Sequence, residues 1–237
     1  MQKRVMLKIS GEQLGSEEYN FDISYAKRVA AILRALQDKG YAVACVMGGG
    51  NIIRGKKLSE NGFTNKVIAD QMGMLATIQN GLFLAETLKQ DDVKGVYLFS
   101  NLAIESLTER FSYKRADSKL ANGNIVLIAG GTGKPGFTTD TGVVIQAFEL
   151  HCPYVIKTTK VDGVYSKDPA KDPNATRYTT LSYDEVAMNK DIQVMDRAAL
   201  AFAADKDITV GICQPTPEDV LALLDGDTSH GTLVSNA

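Results

Sequence analysis

Asn124-Ile125-Val126-Leu127-Ile128-Ala129-Gly130-Gly131-Thr132-Gly133-Lys134-Pro135-Gly136-Phe137-Thr138-Thr139-Asp140 is the stretch on which the fold turns. Its first six residues form a short apolar, partly β-branched run, which predicts a buried strand. The glycines and proline that follow hold neither helix nor strand. Residues 141–150 then read as a helix. A loop that ends a strand and opens a helix lies where an open α/β sheet takes its ligands. Glycine N–H groups can approach an anion there, and the helix N-terminus adds partial positive charge. Thr138 and Thr139 supply hydroxyls and Asp140 a carboxylate. The plainer alternative is a glycine turn with a Thr or Asp N-cap.

The same arrangement recurs upstream. Residues 5–9 are a short apolar strand carrying Lys8, followed at once by Ser10-Gly11-Glu12. A lysine there is placed to meet a phosphate; the alternative is an edge-strand lysine facing water. Residues 22–39 show apolar positions at steps of three and four, an amphipathic helix capped by Asp22 or Ser24 and ended by Gly40. Residues 41–47 form the next strand. It ends on Gly48-Gly49-Gly50-Asn51, with Arg54 just beyond, and three consecutive glycines imply a very close approach by a ligand or backbone. Residues 66–88 read as a long helix with Asp70 in its first turns, where an aspartate ordinarily only offsets the helix dipole.

Residues 93–99 are another strand candidate, and 101–120 a mixed-charge segment of helix plus loop. After the central loop come a strand at 153–157 and a Pro- and Asp-rich loop at 167–173. Tyr165, between them, could stack on a planar ring. Residues 181–188, 194–206 and 217–224 predict helices, and 208–213 and 232–234 strands. Strands alternating with helices give an α/β fold: a three-layer sandwich, mainly parallel, with helices on both faces. A length of 237 residues allows one large domain or two small ones.

Composition narrows the function. Hydrophobic residues make up 44% and charged residues 23%, which suits a globular core. A net charge of −2 gives no support for nucleic-acid binding. No apolar run suits a membrane span or signal peptide, so a cytoplasmic setting is expected. Cys45, Cys152 and Cys213 lie in or beside apolar runs and read as buried thiols, with no metal-ligand spacing. His151 and His230 are far apart and support no Ser–His or Cys–His pair. No Walker A pattern, dinucleotide-binding fingerprint or protein-kinase signature is read. Three glycine-bearing loops on strand ends, at 8–11, 48–51 and 130–140, suit two phosphate-bearing ligands facing each other, as in phosphoryl transfer between small molecules.

Five blocks resemble, in order, the bacterial uridylate kinases of the amino acid kinase superfamily. They are Lys8-Ile9-Ser10-Gly11-Glu12; Gly48-Gly49-Gly50-Asn51 with Arg54; Ala69-Asp70-Gln71-Met72-Gly73-Met74-Leu75-Ala76-Thr77; Gly131-Thr132-Gly133-Lys134-Pro135 with Thr138-Thr139-Asp140; and Lys160-Val161-Asp162-Gly163-Val164-Tyr165 with Asp168-Pro169. The resemblance runs to Gly231-Thr232-Leu233 and implies ATP and UMP giving ADP and UDP with magnesium. It implies Lys8 and Asp140 as the catalytic pair. Lys8, Ile9, Ser10, Gly11, Gly50, Arg54, Thr159, Tyr165 and Asp168 would hold ATP. Gly49, Asp70, Thr132, Gly133, Lys134, Pro135, Gly136, Phe137, Thr138 and Thr139 would hold UMP. No dedicated protein metal site is implied.

The resemblance implies a single domain over residues 1–237, its N-terminal part mainly binding the phosphate acceptor and its C-terminal part mainly ATP. A homohexamer in pyrimidine biosynthesis, with GTP and UTP as possible effectors, follows from the same resemblance. Two departures stand out. Lys134 replaces an expected asparagine, and 101–117 matches the family pattern poorly, in a region tied to assembly and effector response. The alternatives are a superfamily kinase acting on a carboxylate or carbamate such as acetylglutamate, and a non-catalytic nucleotide-binding protein.

Overall fold

Lys8 lies on the central strand of a nine-stranded sheet, not on an edge. The computed structural model describes residues 3–16, 18–53, 58, 60–189 and 191–236. The strands are β1 (Arg4–Ile9), β2 (Ala42–Met47), β3 (Val96–Ser100), β4 (Glu109–Arg110), β5 (Ile125–Ala129), β6 (Tyr154–Thr158), β7 (Thr180–Ser182), β8 (Thr209–Cys213) and β9 (Gly231–Ser235). Their order is β4-β3-β5-β2-β1-β6-β8-β9-β7, parallel throughout except for the antiparallel β8–β9 pair. The inner strands are buried along their length because helices cover both faces, so they read as continuous apolar runs.

Alternation along β1 sorts the two cores. Val5, Leu7 and Ile9 join the core beneath α1 (Ile23–Asp38), α2 (Lys66–Gln90) and α7 (Pro217–Leu224), with Leu33, Ile78, Leu84 and Val220. Met6 faces the opposite core, beneath α3 (Tyr113–Ala121), α4 (Thr139–Glu149), α5 (Tyr183–Met188) and α6 (Arg197–Asp205), with Leu120, Val143 and Ala199. Lys8, two residues on, faces the same side as Met6, toward α4.

The helix over 22–39 forms as expected, with the Asp22 carboxylate accepting from Ser24 and Tyr25 N–H. The segment 181–188 divides. Residues 180–182 add a short parallel strand beside β9, and Ser182 then starts α5 with a reciprocal capping box to Glu185. Helix α6 begins at Arg197, not 194, because Asp196 caps it. Helix α4 begins at Thr139, earlier than the sequence suggests, because Thr138 is its N-cap. No helix among the described residues is long and apolar enough to cross a membrane.

Candidate active site

Three strand-end loops converge at the C-terminal edges of β1, β2 and β5. A Cβ on Gly11 would stand 2.5 Å from the Gly48 carbonyl, so the first two loops pack backbone to backbone. A Cβ on Gly49 would stand 2.8 Å from the Gly73 carbonyl of α2. Only glycine permits these approaches. In the third loop Gly130 has φ 81°, in the left-handed region, and its N–H donates to Thr77 Oγ1 at 2.7 Å.

Where the loops meet lies a charged centre. Lys8 and Lys157 are direct neighbours on the paired strands β1 and β6. The Asp140 carboxylate, in the first turn of α4, bridges them. Lys8 Nζ lies 2.9 Å from Oδ1, and Lys157 Nζ lies 2.8 Å from Oδ2. The Lys8 contact is an ion pair by distance, without hydrogen-bond angles; Lys157 donates a hydrogen bond to Oδ2 and another to the Val194 carbonyl at 2.7 Å. All three side chains are largely buried, at 10%, 15% and 16% exposure for Lys8, Asp140 and Lys157. Burial pushes the Asp140 pKa up, but the charges of Lys8 and then Lys157 outweigh it and hold the carboxyl below its ordinary range. Burial lowers the Lys157 pKa, against the pull of Asp140 and with the help of Lys8. The centre carries two ammonium charges on one carboxylate, which suits an anionic ligand.

Beside it lies a cavity of about 150 Å³ lined by Gly49, Gly50, Asp70, Gly131, Phe137 and Thr139, among others. Asp70 Oδ2 accepts the Gly136 N–H at 2.7 Å, joining α2 to the far side of the third loop. Thr132 Oγ1 donates to the Lys134 carbonyl and accepts its N–H, fixing the turn around Gly133. The Lys134 and Pro135 side chains are exposed, and the Lys134 ammonium has no ion pair among the described residues. Thr138 Oγ1 donates to Asp196 at 2.5 Å, and the same carboxylate accepts from Thr141 Oγ1 and Ala199 N–H.

The remaining expected residues spread outward. The Ile9 carbonyl accepts the Gly48 N–H, and Ser10 precedes a short 3-10 turn over Gly11–Gln13. Thr159 N–H donates to the Cys213 carbonyl at 2.9 Å, and its hydroxyl donates to the Val161 carbonyl. Tyr165 donates to Asp162 Oδ1 at 2.6 Å, a bond that pushes the phenol pKa up. Asp168 is exposed, accepts Ala170 N–H and pairs with Lys171. None of these three contacts the lysine–aspartate centre directly. Arg54 lies outside the described residues.

Sequence reasoning overlooked Lys157, although Tyr154-Val155-Ile156-Lys157 repeats the apolar-run-then-lysine pattern of Val5-Met6-Leu7-Lys8. It also overlooked Asp196, whose signal was its place before an alanine-rich helix. The buried Cys45, Cys152 and Cys213 thiols are each pushed up to about 12 by burial, which leaves no thiolate for nucleophilic chemistry.

A family model described as "Amino acid kinase family" matches residues 3–214. The uridylate kinase of Sulfurovum sp. is 42% identical over 236 residues, covering 99% of this chain and 100% of the relative. That of Colwellia psychrerythraea is 40% identical, covering 99% and 94% respectively. The crystal structure of UMP kinase from Bacillus anthracis superimposes with a TM-score of 0.93 at 33% identity, covering 99% of this chain and 96% of that one. UMP kinase from Ureaplasma parvum gives a TM-score of 0.91 at 30% identity, covering both chains fully.

Proposed function

The chain belongs to the amino acid kinase family, and from that premise we propose that it transfers the γ-phosphoryl group of ATP to UMP, giving ADP and UDP. The observation that carries this reading is the buried Lys8–Asp140–Lys157 centre at the meeting point of three glycine-bearing loops. The full-length likeness to uridylate kinases supports UMP as acceptor.

The chemistry asks little of a base. A UMP phosphate oxygen is already anionic; it attacks the γ-phosphorus as the bond to the β–γ bridging oxygen breaks, and ADP leaves with that electron pair. Positioning and electrostatics therefore carry the rate. Lys8 and Lys157 face the negative charge on the transferring group. Asp140, held ionised by both lysines, is not a proton acceptor; it keeps two like charges side by side and aimed together. Asp70 is suited to the ribose hydroxyls through the carboxylate oxygen not taken by Gly136. Residues 132–139 would surround the UMP phosphate, while Gly50, Thr159, Tyr165 and Asp168 would lie along ATP.

The donor set fits a cation brought in by ATP. Asp140 Oδ1 is buried with only the Lys8 ammonium against it, which leaves a carboxylate oxygen able to meet a hydrated cation that arrives with the phosphates. Magnesium would neutralise charge on the β- and γ-phosphates, and Asp140 would hold its water shell. The reading includes a single domain with its acceptor side N-terminal and its ATP side C-terminal, working in the cytoplasm in pyrimidine biosynthesis. Val67, Ile68 and Leu75 leave apolar side chains exposed along α2, which supports a homo-oligomer, a hexamer by resemblance, with GTP and UTP as candidate effectors.

A coupled assay of ADP release with UMP, CMP or acetylglutamate as acceptor tests this function. UMP-dependent release is expected; faster turnover with acetylglutamate, or ATP binding without UMP-dependent turnover, would overturn it.

A further inference from the structure

One face of α2 carries both glycine loops. Asp70, Gly73, Thr77 and Asn80 follow one another at helical steps of three and four, so they share a face. Asp70 takes the Gly136 N–H, the Gly73 backbone abuts Gly49, and Thr77 takes the Gly130 N–H. Asn80 completes the stripe. Its side chain is fully buried, yet every polar atom is used. Nδ2 donates to the Gly48 carbonyl at 2.6 Å and to Asn51 Oδ1 at 2.7 Å, while Oδ1 accepts from Asn51 Nδ2 at 2.9 Å. Asn51 Nδ2 also donates to the Asn20 carbonyl at 2.6 Å. Both amide nitrogens thus face backbone carbonyls, which fixes the orientation of each amide, since a flipped amide would oppose oxygen to oxygen. One buried side chain therefore grips the triple-glycine loop at both ends, Gly48 and Asn51, with Gly49 and Gly50 held between.

We propose that Asn80 is a positioning residue: paired with Asn51, it sets where Gly49 and Gly50 stand relative to the 130–140 loop, and so aligns the donor and acceptor phosphates. The inference rests on the kinase reading above. An apolar residue would fill the site, but it would leave the Gly48 carbonyl and the Asn51 amide without their partner. The loop would then settle by packing alone, and misplacement by about 1 Å costs on the order of a hundredfold in rate.

The test compares wild type with Asn80→Asp, Asn80→Leu and Asn51→Ser. UMP binding stoichiometry and Kd are read by titration calorimetry, and kcat is expressed per UMP-competent site. Asn80→Asp keeps the size and the acceptor for Asn51 but turns an oxygen toward the Gly48 carbonyl. Both position-80 variants are expected to bind one UMP per chain with Kd within about threefold of wild type, while kcat per competent site falls by on the order of ten- to a hundredfold. Asn51→Ser spares the Asn80–Gly48 bond and should lose only about three- to tenfold.

A kcat per competent site within about twofold of wild type in the position-80 variants overturns the inference, as does a loss confined to binding stoichiometry, which would mark a purely structural role. If neither position-80 variant folds, Asn51→Ser decides by the same criterion. Wild-type protein that releases no ADP with UMP would refute the kinase reading itself, whereas active wild type with undiminished variants refutes only the role of Asn80.

Discussion

Replacing Asp140 with asparagine removes the single negative charge between two ammonium groups that are adjacent on paired strands. Each lysine–carboxylate contact, at 2.9 and 2.8 Å, corresponds to about 6 kcal/mol of attraction at an effective dielectric of about 20. Desolvation offsets most of that, and removing one partner of a buried pair costs about 3–5 kcal/mol. Asparagine keeps an acceptor for one lysine, so the lower end applies. At about 2–4 °C per kcal/mol for a chain of this size, a loss of about 3 kcal/mol lowers Tm by about 6–12 °C at neutral pH.

The pH dependence carries a sign. Asp140 has a depressed folded pKa, so its stabilisation is present above the ordinary carboxylate value of 3.8 and is lost as pH falls through the folded value. The deficit of Asp140→Asn should therefore shrink in acid. It should shrink again in alkali. Without Asp140 the Lys157 pKa falls further below 10.5, and a neutral lysine removes the repulsion with Lys8. Differential scanning calorimetry of both proteins across this range reads the curve, and the coupled assay should show kcat lower by on the order of a hundredfold. A Tm within about 2 °C of wild type at neutral pH would refute the electrostatic account of the centre.

Lys8→Ala should fold but lose on the order of a hundredfold or more in kcat, because it removes a preorganised charge at the transferring group; near-normal kcat in the ADP-release assay would contradict this. Asp70→Asn should weaken UMP about tenfold or more and ATP far less, since a carboxylate bond to a hydroxyl is worth about 1.5–3 kcal/mol; equal losses in calorimetric titrations of the two nucleotides would return Asp70 to a loop-anchoring role alone. Lys134→Asn should raise the UMP KM by about two- to tenfold and flatten its salt dependence, leaving the ATP KM nearly unchanged; superimposable UMP curves at low and high salt would make Lys134 a surface residue only.

The architecture was legible where the local signals were strong. Apolar runs ending on glycine placed β1, β2 and β5, and periodicity placed α1 and α2 within two residues of their ends. The two shortest strands, β4 and β7, were not legible. Thr180-Leu181-Ser182 has too few residues to show a period, and only pairing with β9 makes it a strand. For Lys8 the local sequence left two readings, a lysine meeting phosphate and an edge lysine facing water; the strand order removes the second by setting it at the centre of the sheet, against Asp140.

Lys157, Asp196 and Asn80 act on distant partners, Asp140, Thr138 and Gly48, and the local patterns around them do not name those partners. The spelling Gly131-x-Gly133-x-x-Gly136 also fits a dinucleotide-type glycine pattern. The helix here opens only at Thr139, after Gly136 has bonded to Asp70, so the letters alone misdescribe the loop.

The central claim is phosphoryl transfer onto UMP, and phosphorus NMR of the purified wild-type protein with magnesium, ATP and UMP tests it most directly. ADP and UDP should appear in equal amounts, with no free phosphate and no change in ATP when UMP is omitted. ADP accumulating with inorganic phosphate while UMP stays unmodified would contradict it.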